Sequence, residues 1–343
     1  MTSSSIAAVG QPSAHIDIRS LTDRMVFEGV YSLVNPQLAT TRQAKPFLKA
    51  ILKDASGEVP TRMWTCDEQT FASLANAAFA RVKARTELYN NAIQVVLDGI
   101  EPAEPTAAEL ARLVPTTRHD IEAMFIEVSG ILRTLRHDAM LRLAEAFLGD
   151  EKLMQRFRRA PAAASVHHAF LGGLLEHTLQ LLKVAERILP LYPDLNRDIV
   201  LMGLFVHDLG KTVELDWERG FTYTFRGNLI GHVVDGILLL RAKFNAVKAA
   251  GGPDLPPRAQ TVLEHIVASH HDKLEFGAAK PPSTPEAIFV ALLDNLDAKT
   301  ALALTQVRRG EYGLETDIGG EFTDKIWALD GNRLYRPDPL RDE

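Results

Sequence analysis

Residues 204–215 read LFVHDLGKTVEL, an apolar run that ends in adjacent His207 and Asp208, then a glycine, then Lys211. A carboxylate or ammonium buried without a partner is costly, so such groups pair with one another or bind an ion. Adjacent residues on a helix point about 100° apart. His207 and Asp208 could therefore reach an ion from neighbouring directions, with the aspartate free to bridge two. Lys211 follows four residues after His207 and three after Asp208, on the same side of a helix. Metal ions would repel its ammonium unless a phosphate lay between them.

Eleven histidines are present, and eight fall between 167 and 271: His167, His168, His177, His207, His232, His265, His270 and His271. Neutral imidazoles and carboxylates are the donors that divalent transition metals select. His177 lies in LLEHTLQLL and His232 in GNLIGHVVDGIL. His270 and His271 close an apolar helix in ASHHDKLEFG, and Asp294 and Asp297 stand one turn apart in FVALLDNLDAKT. The separations are too long for a local motif such as H-E-x-x-H. The signal is the ordered set of helix-borne His and Asp. The pairs His119-Asp120 and His137-Asp138 lack the Gly-Lys that follows and read as solvated helix faces.

These residues need elements to position them. Residues 24–100 read as five short strands, at 25–34, 46–52, 59–64, 78–85 and 92–98, rich in β-branched and aromatic residues. DASGE and YNN supply turns, and DEQTFASLANA (67–77) reads as a helix between the third and fourth strands. That order is the layout of an OB-fold barrel. After the Pro-punctuated EPAEPTAAE (101–109), apolar residues recur at helical spacing to about residue 310, broken by RGFTYTFRGN (219–228), a short hairpin or loop. The expected fold is multidomain, a small all-β OB-fold barrel followed by an all-α helical bundle. Its parts are a flexible N-terminal tail (1–19), the barrel (20–103), linker helices (104–160), the His/Asp-bearing bundle (161–313) and a C-terminal tail (314–343).

Apolar residues make up 46% and charged residues 24% of the 343, as in a soluble globular protein. No apolar run approaches the roughly 20 residues that cross a bilayer, so no membrane partner is expected. The single Cys66 excludes an internal disulfide and any multi-cysteine metal cluster. The N-terminus lacks the basic start and apolar stretch of a secretory signal, and a cytoplasmic location is expected. Net charge is −6, yet residues 24–100 hold nine Lys/Arg against seven Asp/Glu. The remainder is acidic, which suits a domain that binds cations.

The order His177, His207-Asp208 in HDLGK, His232, His270-His271, Asp294 resembles the HD-domain metal phosphohydrolases. With its three extra histidines it is similar to members that hold two metals. The stretches RRAPAAASVHHAFLGGLLEHT, HDLGKTVEL, GHVVDG, SHHDKLEFGAAKPPSTPEA, DNLDAK and WALDGNRLYRP look like the YhaM-type 3′→5′ exoribonucleases, which join an OB-fold to an HD domain. KPFLKAILKDASGEVPTRMW (45–64) resembles their OB-fold. The likeness covers most of 20–337 and leaves 106–155 blank. Two departures, QAKPF in place of a turn glycine before the lysine and WTCD in place of a shorter tryptophan-acid pair, touch only the barrel.

The resemblance implies His177, His207, Asp208 and Asp294 as core metal ligands, with His232, His270 and His271 completing a second site and Asp208 bridging. Asp297 would orient a ligand or water, and Asp208 and Lys211 would be catalytic, the lysine on a phosphate oxygen. The cofactors implied are two divalent ions, manganese first, with iron, cobalt or zinc as alternatives. The reaction implied is attack by a metal-activated hydroxide on single-stranded RNA, with single-stranded DNA a further candidate, releasing nucleoside 5′-monophosphates. Strand contacts would come from Arg42, Lys45, Lys49, Arg62, Trp64, Arg81, Lys83 and Arg85 on the barrel. The basic run Arg156, Arg158, Arg159 and the pair His167, His168 are further substrate candidates. VRRGEYGLETDIGGEF (307–322) is a candidate for packing in a homo-oligomer. Two other readings compete, a nucleotidase or cyclic-nucleotide phosphodiesterase acting on small molecules, and a nucleic-acid-binding module with a structural metal site.

Overall fold

The computed structural model describes residues 15–41, 43, 45–74, 77–89, 92–163, 170–217, 222–307, 321–337 and 340. They fall into two compact units divided between Pro115 and Thr116.

In the first unit, alternating apolar residues build β1 (Val26–Thr40), β2 (Pro46–Lys53) and β3 (Glu58–Met63), followed by α1 (Glu68–Leu74), β4 (Phe79–Tyr89) and β5 (Ala92–Pro102). The strands close into a barrel in the order β1-β2-β3-β5-β4, antiparallel except for the parallel seam of β3 with β5. With a helix between β3 and β4, this is the OB-fold. Leu48, Ala50 and Leu52 of β2 point inward, onto a core that includes Tyr31, Leu74, Val82 and Val95. The same two-residue period turns Phe47 and Lys49 outward, where Lys49 pairs in register with Arg62 of β3. β1 carries a bulge between Val34 and Gln37.

The stretch expected as a tail is anchored from His15 onward, and residues 1–14 lie outside the described residues. Ile18 and Leu21 are buried in the barrel core. Asp54 accepts from the Ile18 N–H at 2.8 Å, and its other oxygen accepts from Ser56 and Gly57. His15 Nε2 lies 3.1 Å from the same carboxylate. Asp54 thus spends both oxygens as a clasp between the N-terminal segment and the β2–β3 turn. The unit also continues past 103. α2 (Ala107–Leu113) starts at a Thr106/Glu109 capping box, and the Arg112 carbonyl accepts from Ala55 N–H at 2.9 Å.

The second unit is helical: α3 (Ile121–Leu132), α4 (Asp138–Leu148), α5 (Glu151–Arg159), α6 (Gly173–Ile188), α7 (Arg197–Val206), α8 (Lys211–Glu214), α9 (Phe225–Leu229), α10 (His232–Ala249), α11 (Pro257–Ser269) and α12 (Pro285–Val307). A two-residue ladder of β6 (Leu215–Asp216) with β7 (Thr222–Tyr223) precedes α9. The helices expected as linkers share the main core, to which they give Met124, Val128, Leu143, Phe147, Met154 and Phe157. At its centre lies α7, capped by Asn196 and buried from Asp198 to Val206. Residues 322–336, expected within a tail, fold back on themselves through antiparallel bridges Phe322–Tyr335 and Ile326–Asn332. Of the candidate packing segment, residues 308–320 lie outside the described residues.

Candidate metal centre

The helices of the second unit bring their chemistry to one place. α6 presents His177, the end of α7 presents His207 and Asp208, and α10 begins at His232. His270 and His271 directly follow α11, and α12 carries Asp294 and Asp297. His177, His207, Asp208 and His270 are each at most 2% exposed.

The Asp208 carboxylate faces two ways. Its Oδ2 lies 3.5 Å from His207 Nε2 and 3.9 Å from His177 Nε2. Asp294 Oδ1 completes that side, 3.2 Å from His177 Nε2 and 3.8 Å from His207 Nε2. The other oxygen, Oδ1, lies 3.4 Å from His270 Nε2 and 3.7 Å from His232 Nε2, and His232 Nε2 is 3.0 Å from His271 Nε2. Among the described residues, His177/His207/Asp208 and His232/His270/His271 are each close enough to share one ion.

The outer ring nitrogens explain why Nε2 turns inward. Nδ1 of His207 donates to the Leu204 carbonyl at 2.7 Å and that of His270 to the Val267 carbonyl at 2.8 Å. His177 Nδ1 lies 2.7 Å from Asp297 Oδ2, and His232 Nδ1 lies 2.9 Å from Glu214 Oε2. Such outer partners orient imidazoles for metal binding. Asp208 Oδ1 and the Nε2 atoms of His207 and His270 are buried with no hydrogen-bond partner. Three orphaned polar atoms around one carboxylate fit a divalent cation, and the donor set of imidazole and carboxylate suits manganese, iron, cobalt or zinc.

The electrostatics agree. Burial disfavours a charge on His207 and pushes its pKa down to about 4. Burial, with the neighbouring His270 and His232, takes His271 to about 2. Both are neutral at pH 7, as ligands must be. Burial opposes ionising Asp208, but Lys211, His207 and His270 overcome it and hold its carboxyl well below the usual range. Burial likewise opposes protonating His177, yet its hydrogen bonds to Asp294 and Asp297 hold its pKa up at about 10. A proton on His177 serves the carboxylates as a cation would.

Lys211 Nζ donates to Asp208 Oδ2 at 2.7 Å. Three supporting features emerge with the structure, and of these only Gly210 figures in the sequence reading, as part of HDLGK. Glu214 is the first, six residues after Asp208. Arg226 is the second, its Nε donating at 2.8 Å to buried Asp235, one turn after His232. Gly210 is the third, at the close approach of α8 to α10, where an added Cβ would stand 1.9 Å from the His232 carbonyl oxygen.

Other candidates are distributed differently. Arg156 donates from Nε to the Thr212 carbonyl at 2.6 Å and lies over Trp217. Arg158 pairs with Glu151 and Glu122 and covers Phe125. These two side chains brace the bundle, and Arg159 is exposed. His167, His168 and Arg42 lie outside the described residues. On the barrel, Arg81, Lys83 and Arg85 pair with Glu109, Glu28 and Asp98, while Lys45 and Lys49 are exposed. Arg62 lies 5.5 Å from the Trp64 ring centroid and 5.2 Å from that of Tyr89, and the Phe47 ring lies against Trp64 with centroids 5.3 Å apart and planes tilted by 33°. Phe47 meets Trp64 across the β2–β3 pairing, and Tyr89 reaches Arg62 by way of β5, which pairs with both β3 and β4.

The HD-domain family model matches residues 174–299, which hold every ligand candidate. A Bacillus pumilus protein named 3′-5′ exoribonuclease YhaM is 33% identical over 300 residues, 85% of this chain and 89% of that one. Its namesake from a Geobacillus species is 31% identical over 85% of this chain and 86% of its own length. The chain belongs to the YhaM 3′-5′ exoribonuclease family. It is accordingly a hydrolase. The second OB-fold domain of replication protein A from Methanococcus maripaludis covers 26% of this chain and 96% of its own at 15% identity, with a TM-score of 0.20. The OB-fold assignment rests on strand order, not on that likeness. Among the described residues, no helix is long and apolar enough to cross a membrane.

Proposed function

We propose that the chain degrades single-stranded RNA from its 3′ end, releasing nucleoside 5′-monophosphates, in the cytoplasm. Two divalent cations, manganese in the first instance, would be held by His177, His207, Asp208 and Asp294 on one side and His232, His270, His271 and Asp208 on the other. The observation that carries this reading is the division of the Asp208 oxygens between two sets of inward-facing imidazoles. When bound, such ions lower the pKa of a coordinated water and stabilise charge on phosphoryl oxygens.

The chain's own groups supply the rest. Lys211, poised on Asp208, neutralises charge on a non-bridging phosphate oxygen. Asp297 and Glu214 accept from Nδ1 of His177 and His232, so that the neutral ring of each would turn its Nε2 lone pair inward. On the barrel, Trp64, Tyr89, Phe47 and Arg62 offer stacking surfaces for successive bases, with Lys45 and Lys49 beside them for the backbone. Such a surface does not distinguish ribose from deoxyribose, so single-stranded DNA is a secondary substrate in this reading. A mononucleotide hydrolase would have no use for it.

The test is a gel time course of 5′-labelled single-stranded RNA with manganese, beside Asp208→Ala. A ladder shortening from the 3′ end in the wild type alone is expected. Turnover of mononucleotide phosphates without RNA shortening would replace this reading with the nucleotidase.

A further inference from the structure

We infer that Glu214 is a positioning residue whose carboxylate locks His232 in the Nδ1–H form and so decides whether the second cation site is filled. This inference rests on the two-ion reading above. Glu214 is 8% exposed, and its two oxygens are divided between two donors of one residue. Oε1 accepts from the His232 main-chain N–H at 3.0 Å, and Oε2 lies 2.9 Å from His232 Nδ1. An ionised carboxylate accepts and never donates. The ring proton therefore sits on Nδ1, and the lone pair sits on Nε2, the atom that faces His271 at 3.0 Å and Asp208 Oδ1 at 3.7 Å.

The carboxylate is itself held rigidly. The Glu214 N–H donates to the Gly210 carbonyl at 3.0 Å, and its carbonyl accepts from Thr224 N–H at 2.9 Å. Gly227 packs so closely that an added Cβ would lie 2.2 Å from the Glu214 carbonyl oxygen. The two ligand sets are built alike. Each has one histidine braced by a main-chain carbonyl and one braced by a carboxylate, Asp297 for His177 and Glu214 for His232. Each set thus has one brace that a side-chain substitution can remove.

Glu214→Gln separates this role from bulk. An amide of nearly the same shape has one acceptor and one donor group. It serves the main-chain N–H or the ring N–H, not both. With its NH₂ toward Nδ1, the ring takes the Nε2–H form, and that proton points to where the cation would sit. Affinity for the second ion should fall roughly 10–100-fold, while the set braced by Asp297 keeps its ion.

The experiment uses the full chain, stripped with a chelator and titrated with MnCl₂ in equilibrium dialysis. Two ions per chain are expected for the wild type, and one for Glu214→Gln at the same free manganese. A long-range ¹H–¹⁵N spectrum of the metal-free wild type should show His232 as the Nδ1–H tautomer, a readout that needs no variant to fold. Two ions bound by Glu214→Gln with wild-type affinity, or His232 found as Nε2–H, would overturn the inference and leave the exonuclease reading standing. A wild type that binds one ion only would overturn the two-ion reading and this inference together.

Discussion

Gly210 in HDLGK is required for space and not for backbone freedom, because its φ of −58° is open to any residue. Replaced by alanine, it would place a Cβ 1.9 Å from the His232 carbonyl oxygen and 2.8 Å from Gly236 N. Both obstacles are main-chain atoms of α10, so no rotamer change relieves the clash. To reach ordinary contact at 3.4 Å, α10 and the turn must part by about 1.5 Å. His232 is the first residue of α10 and moves with it, away from Asp208 and His271. A misplacement of about 1 Å in a catalytic constellation costs on the order of 100-fold in rate, and overpacking costs about 1–3 kcal/mol of stability. Gly210→Ala should therefore remain folded at 25 °C, bind one manganese fewer and lose at least about 100-fold in kcat/KM on RNA. Gly130→Ala is the control. That glycine is in α3 with nothing within 4 Å of its added Cβ, and alanine there should stabilise by about 1 kcal/mol. Gly210→Ala with more than half of wild-type activity and a full metal complement would refute the reasoning.

Trp64→Ala removes one stacking surface and should weaken single-stranded RNA binding by about 1–3 kcal/mol, read by fluorescence anisotropy. Turnover of the small diester bis(p-nitrophenyl) phosphate should not change, and a parallel loss on both would place Trp64 in the fold instead. Stripping the metal with EDTA should abolish RNA shortening. Manganese at about 100 times its Kd should then raise Tm by about 5–10 °C, and an unmoved Tm would refute the buried site. Asp150 caps α5 and pairs with Lys243 at 2.7 Å, a hydrogen bond that holds its carboxyl below the usual range. Asp150→Asn keeps the cap and loses the ion pair, at about 0.5–1 kcal/mol by urea unfolding at pH 7. Because the folded pKa is depressed, that difference is full above the unfolded value of about 3.9 and vanishes as pH falls through the folded one. A difference that persists in acid would assign the effect to capping.

Much of the fold was legible because short-range rules govern it. Two-residue alternation placed the barrel strands, and 3.6-residue periodicity placed the helices. The helices from 121 to 159 read as linkers because their apolar faces show in sequence, but the core those faces join does not. Arg156 looked like a strand guide because a basic run is equally a solvated face or a set of braces, and only packing assigned it to the Thr212 carbonyl. Glu214 was unreadable for the opposite reason, an ordinary helix-end acid whose partner is 18 residues away.

At the candidate metal centre, residue identity and order were properties of the sequence alone. Imidazoles and carboxylates at the ends and inner faces of apolar helices are too costly to bury for any purpose but mutual pairing or ion binding. Which atom faces which was decided only by the tertiary structure. His177 and Asp297 are 120 residues apart and meet at 2.7 Å. Asp208 divides its oxygens between two histidine sets only because α6, α7, α10, α11 and α12 pack around one point. Chain-local rules can choose a ligand, but the lone-pair directions that define a site come from helices held by their shared core.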